Sequence, residues 1–272
     1  ISDTATLSGN VIVKGAITNT NAVTVKGDLS AKSVSGALTV DKGTTTITDA
    51  VAGNLTVNGG TVTVGDVTGT VTVNVAGGTL TIKAETVTTT GDCTVSGGTL
   101  KAGNLSGKLI VNGGTANVGN VAGDLSVDNG ASATVANAAK VTLTNGTLTV
   151  KDITGDLTLT KGALNLNGAA KITANRVTSD VTVNLGASAV LTVDASSNAV
   201  NISSMTLTAQ LGAQVKAANN SSNNITVAAN LFYSAADTAV GSNQLANSKT
   251  YTYVNTITAS DNSDGCGFLQ GA

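Results

Sequence analysis

Acid–base, nucleophilic and metal chemistry each need groups of tuned affinity converging on one point. The sequence has no histidine, a single arginine (Arg176) and a single glutamate (Glu85). Activation of a nucleophile by a Ser–His or Cys–His pair is therefore ruled out. The other acids are aspartates placed singly, among them Asp28, Asp41, Asp66, Asp92, Asp124, Asp128 and Asp156. Asp92, Lys108, Asp124, Lys140 and Asp156 recur at a constant step and alternate in sign. Opposite charges stacked on neighbouring strands stabilise modestly and like charges repel, so this column reads as a device that sets register, not a cation site. Of the two cysteines, Cys93 stands where related segments carry Leu or Val and reads as an inert buried thiol. Cys266, in Asp264-Gly265-Cys266-Gly267, reads as exposed and able to cross-link chains. No catalytic residue, metal site or cofactor is expected.

Hydroxyl groups are the more regular chemistry. Thr24, Thr39, Thr56, Thr72, Thr94, Ser126, Thr142 and Thr158 each sit between two apolar residues, and Ile110 breaks the series. A second series pairs Thr61 with Thr63, Thr79 with Thr81 and Thr147 with Thr149, interrupted by Lys101 and Asn117. Facing outward from stacked strands, these residues would form flat arrays of methyl and hydroxyl groups. Similar arrays occur on ice-binding proteins, which makes ice binding an alternative function, with Thr56, Thr61, Thr63, Thr72, Thr79, Thr81 and Thr94 as its surface. Threonine is also an ordinary outward strand residue, because it is β-branched and soluble.

Strands must position these groups, and the sequence repeats them. The pattern apolar–Thr/Ser–apolar starts at Val71, Cys93, Leu109, Leu125, Val141 and Leu157, with a step of 16 residues from Cys93 onward. Earlier copies start at Val11, Val23, Leu38 and Leu55, and a looser later one near Val181. Each unit adds a second alternating segment, such as Thr61-Val62-Thr63-Val64, and a third apolar point, such as Val67. Alternation with a period of two marks half-buried strands. Glycine and Asn or Asp between them mark corners. A unit this small encloses no core alone, whereas stacked units pair like positions and bury one continuous core. The chain has no proline, which suits a ladder in which each turn donates N–H groups to its neighbour. The expected fold is all-β: a single-stranded parallel β-helix, or β-solenoid, of roughly twelve coils of about 16 residues each.

Residues 1–197 are expected to form the solenoid and 198–272 irregular coils with a capping or docking segment. The three tyrosines and two phenylalanines, Phe232, Tyr233, Tyr251, Tyr253 and Phe268, all fall in that second part. A solenoid end exposes strand edges and an apolar cross-section, both prone to association, and a bulkier segment would cover one such end. Thr4 and Leu7 already lie in a coil-like pattern. They and the aromatic residues are the candidate assembly ends. Two units are stretched, through 76–90 and 169–180, as surface bulges able to carry binding. The chain begins at Ile1 without an initiator methionine or leader pattern, which reads as a processed product. No clustered basic surface suggests nucleic-acid binding, and no run of 18 apolar residues suggests a membrane helix.

The Gly-x-Leu-Thr-Val units, as in Gly53-Asn54-Leu55-Thr56-Val57, resemble β-solenoid stretches of bacterial surface proteins, adhesins and autotransporter passengers. Lys26-Gly27-Asp28-Leu29-Ser30-Ala31-Lys32-Ser33-Val34-Ser35-Gly36 is similar to the coils of bactofilins, which polymerise end to end. Polysaccharide-cleaving β-helix enzymes gather acids, basic residues and aromatics in one groove, a combination missing before Phe232. The resemblance implies a non-catalytic, extracellular or cell-surface bacterial protein, a subunit of a fibre or adhesive stalk. Its expected partner is a second copy, stacked head to tail. A carbohydrate-binding adhesin that takes surface glycans on the two bulges is a further alternative.

Overall fold

A computed structural model of the chain describes residues 4–18, 21–74, 78–83, 86–87, 92–173, 177–186, 188–194, 200–201, 206–209, 213–217, 225–232, 250–257 and 267–270. The described residues form thirty strands and no helix. Each turn of chain makes short strands separated by corners, and each strand lies parallel to its counterpart about 17 residues later. The result is a β-solenoid of about ten turns. It divides into two compact units, Ile1–Ala136 and Asn137–Ala272.

In the first unit, the first turn consists of β1 (Ala5–Leu7), β2 (Asn10–Ile12) and β3 (Ala16–Ile17), and the second of β4 (Val23–Val25), β5 (Asp28–Ala31) and β6 (Ser33–Val34). β1 pairs with β4, β2 with β5 and β3 with β6, all parallel. Ala5, Val23, Leu38, Leu55, Val71, Cys93, Leu109 and Leu125 form one inward row. Leu29, Thr45, Val62, Leu80, Leu100 and Ala116 form another. From Val23 onward the residues of both rows are buried. Alternate side chains of a strand point to opposite faces, so the Val/Leu positions fill the core and the threonines between them face out. The second unit repeats the arrangement, with Val141 over Leu157 and Leu148 over Leu164, Val183 and Leu207.

Glycines at two corners explain the Gly-x-Leu-Thr-Val pattern. Gly27, Gly43 and Gly60 stack so closely that a Cβ on Gly43 would strike the Gly27 carbonyl oxygen, and one on Gly60 the Gly43 oxygen. Gly43 also holds a φ of 88°, which L side chains adopt rarely. At the other corner, a Cβ on Gly53 would lie 2.5 Å from the carbonyl carbon of Gly36, and one on Gly69 2.6 Å from that of Gly53. Backbones there meet without room for side chains.

The structure corrects three details of the repeat. The turns number about ten, not twelve. Val11 does not stand under Val23: Ala5 does, and Val11 pairs with Leu29 in the second row. Val181 likewise pairs with Gly162 on the second face, while the first-face row passes from Leu159 to Val177. Both segments share the apolar–Thr/Ser–apolar look of the first strand, and only the pairing separates them. The stretched unit after Val71 keeps the ladder, since Val71 pairs directly with Cys93 and Thr79 with Thr99. Much of its bulge, with Glu85, and the Arg176 segment lie outside the described residues.

Within the second unit, the parallel ladder ends on antiparallel strands. Thr250–Ile257 pairs antiparallel with Ile225–Phe232 through eight residue pairs, and Gly267–Gln270 pairs antiparallel with Gln214–Ala217. No helix among the described residues is long and apolar enough to cross a membrane.

Candidate functional site

Two surfaces are candidates: the outward threonine columns and the open side of the first turn. The first column runs Thr6, Thr24, Thr39, Thr56, Thr72, Thr94, Ile110 and Ser126 in direct register in the first unit, with Thr142 over Thr158 in the second. Thr24 through Thr94 are half-buried, each shielded by the residue above and below. The second face carries two columns. One runs Thr44, Thr61, Thr79, Thr99 and Thr115, the other Ser30, Thr46, Thr63, Thr81, Lys101 and Asn117. Thr44 and Thr46 belong to this array although the sequence reading left them out, as it left out Thr6. Gly43 before Thr44, like Gly60 before Thr61, was the signal that aligned them.

Asparagine fills other outward positions as hydrogen-bonded ladders. Asn58 Nδ2 donates to Asp41 Oδ1 at 2.9 Å, and Asn74 Nδ2 to Asn58 Oδ1 at 2.8 Å. In the second unit Asn184 Nδ2 donates to Asn165 Oδ1 at 2.8 Å, and Asn165 Nδ2 to Thr149 Oγ1 at 3.2 Å. An amide both donates and accepts, so each residue links the turn before it to the turn after. These ladders favour in-register stacking.

The charged column is exposed throughout. In the first unit Asp92, Lys108 and Asp124 precede the paired residues Cys93, Leu109 and Leu125. In the second, Lys140 and Asp156 precede Val141 and Leu157, and a backbone bridge from Asp156 to Lys171 continues the alternation. Lys171 turns its Nζ to Asp194 Oδ2 at 3.0 Å, where the carboxylate is 9% exposed. Among the described residues no three of His, Cys, Asp or Glu gather as metal ligands would. Cys93 is buried in the first inward row, and burial pushes its thiol up to about 12. The neutral thiol is unreactive, because the thiolate is the nucleophile. Cys266 lies outside the described residues.

The open side of the first turn is built by the alternation of peptide groups. In a parallel ladder, successive residues send their N–H and C=O groups to opposite neighbours. Ala5 N–H donates to the Ala22 carbonyl, and the Leu7, Gly9, Gly15 and Ile17 carbonyls accept from Lys26, Asp28, Lys32 and Ser35 of the second turn. Thr6, Asn10, Ile12 and Ala16 lie between these positions and direct their peptide groups the other way. Among the described residues, β1, β2 and β3 have no strand on that side. Ala5, Leu7, Val11, Val13 and Ile17 are accordingly half-buried, although the matching residues of the second turn are buried. Ile12 faces out and is 70% exposed.

Compared with family models, curated proteins and solved structures, the chain matches none. The geometry must carry any functional reading. Of the residues expected at assembly ends, Thr4 is exposed just before β1 and Leu7 closes β1, half-buried. Phe232, Tyr251, Tyr253 and Phe268 lie in the strands of the antiparallel pairs, and Tyr233 is outside the described residues. The sequence reading missed Thr6, Asn10, Ile12 and Ala16. Aligning Gly9-Asn10-Val11-Ile12 with Gly27-Asp28-Leu29-Ser30, instead of Val11 with Val23, would have found them.

Proposed function

We propose that the chain is a non-catalytic structural β-solenoid, a subunit of an extracellular fibre or adhesive stalk at a bacterial cell surface that assembles end to end. One observation carries the reading: the first turn offers three unpaired strand edges beside five half-buried apolar residues. Such an edge is a template for another strand, and folds that stay monomeric blunt it with charge, proline or a cover. Here the outward residue at its middle is Ile12. The likeness of the coils to bacterial surface proteins and bactofilins is the ground for the cell-surface location. Sedimentation and electron microscopy of the purified chain over a range of concentrations test the proposal. Growth into fibres is expected, and monomers at millimolar protein would sink it.

Ice binding is a second reading, favoured by the direct register of Thr44/Thr46, Thr61/Thr63 and Thr79/Thr81 over three turns. Strand spacing places the hydroxyls about 4.8 Å apart along the column and about 7 Å apart along the strand, a regular lattice. Thermal hysteresis that disappears in a Thr63→Lys variant would support it. A lack of hysteresis in the unmodified protein removes it.

A further inference from the structure

We infer that the open edge of the first turn is covered by the strand Thr250–Ile257 of a second copy, paired antiparallel. This rests on the end-to-end reading above and names the two surfaces it uses. The chain itself shows how it covers such edges. In the second unit, Thr250–Ile257 closes the edge of Ile225–Phe232, and Gly267–Gln270 that of Gln214–Ala217, both antiparallel. A plain continuation of the parallel ladder onto those strands is thereby blocked. Thr250–Ile257 pairs on one side among the described residues, with Ile225–Phe232, and its other side remains a strand edge.

Length and direction fit the assignment. Thr250–Ile257 has eight residues, against three in β1, three in β2 and two in β3. Two first turns placed edge to edge would pair these short strands with each other, whereas the longer strand spans any of them. The peptide groups of Thr6, Asn10, Ile12 and Ala16 supply the donors and acceptors. A strand laid there would also cover Leu7, Val11 and Val13, completing a row buried in every later turn. The contact joins two different surfaces, so each added copy brings a fresh edge and the assembly lengthens.

The test is a double variant, Thr6→Pro with Ile12→Pro. Both peptide groups point away from the second turn, so proline removes no bond to β4 or β5, and edge strands tolerate it. An unchanged circular dichroism spectrum and melting temperature verify the fold. Ile12→Lys, which keeps every backbone group, serves as the milder variant. Sedimentation of the double variant should give the 26.5 kDa monomer at concentrations where the unmodified chain forms fibres. Its own Thr250–Ile257 strand is intact, so it should also cap growing fibres. At one variant per ten unmodified copies, mean length should fall to about ten copies.

A variant that assembles as the unmodified chain does would show the edge to be unused and overturn the inference, leaving the fibre reading in place. A variant that stays monomeric yet does not shorten fibres would overturn the strand assignment, because it means first turns pair with each other. Failure of the unmodified chain to assemble strikes the fibre reading itself.

Discussion

At the scale of single residues, the inner rows contain one polar exception whose cost can be measured. Thr45 stands between Leu29 and Val62 in the second inward row, fully buried, and its Oγ1 has no hydrogen-bond partner. A buried hydroxyl without a partner costs about 1–3 kcal/mol, and valine has nearly its shape. Thr45→Val is expected to raise stability by about 1–2 kcal/mol, read as an upward shift in the denaturation midpoint. Cys93 gives a pH dependence. Its folded value, about 12, lies above that of an exposed thiol. Folding therefore favours the protonated form, and the contribution is complete below about pH 8.5. It is lost as pH rises from there toward 12, because the unfolded chain ionises first. Cys93→Val should flatten the alkaline fall in melting temperature, and native Cys93 should resist thiol reagents at pH 8 until the protein unfolds.

At the scale of the element, corners matter more than strands. The strands are three-residue pieces that share a Val/Thr composition, and an exchange of one β-branched residue for another in them changes little. Corners stack backbone on backbone. Gly43→Ala must relieve both a positive φ and a collision with the Gly27 carbonyl, so a loss of about 3 kcal/mol or more is expected in urea denaturation. Gly130 makes a useful control. It also has a positive φ, of 72°, but a Cβ there meets nothing within 4 Å. Gly130→Ala should cost less, only the backbone strain. The asparagine ladders act at the same scale: Asn58→Leu removes the bonds to both Asp41 and Asn74. A loss of about 1–2 kcal/mol is expected, because these groups are partly solvated.

At the scale of the whole molecule, a solenoid is a sum of like turns, each held by its neighbours. Deletion of residues 55–70, one complete turn, joins Asn54 to Val71 and keeps Gly53 two places before the inward row. Leu38 then meets Val71 as it now meets Leu55. The shortened chain should fold, with a β-type circular dichroism spectrum and a cooperative melt within several degrees of the original. Deletion of residues 55–62, half a turn, sets inward positions against corners and should abolish the cooperative melt. If both deletions behave alike, the turn is not the unit of stability.

The sequence by itself determined the fold class, the inward and outward identity of nearly every strand residue, and the glycine corners. These are local properties: alternation decides the face of a strand, and a residue without Cβ marks a close approach wherever it recurs. Only the tertiary structure decided which segment lies over which. Val11 and Val181 carry the apolar–Thr/Ser–apolar signature of the first face yet pair on the second, because the hydrogen bonds reward register across turns and two similar strands in one turn look alike one at a time. The same cause hid the open edge. Thr6, Asn10, Ile12 and Ala16 have nothing unusual in type; what distinguishes them is the direction of their peptide groups and the lack of a strand on that side, and both are properties of pairing.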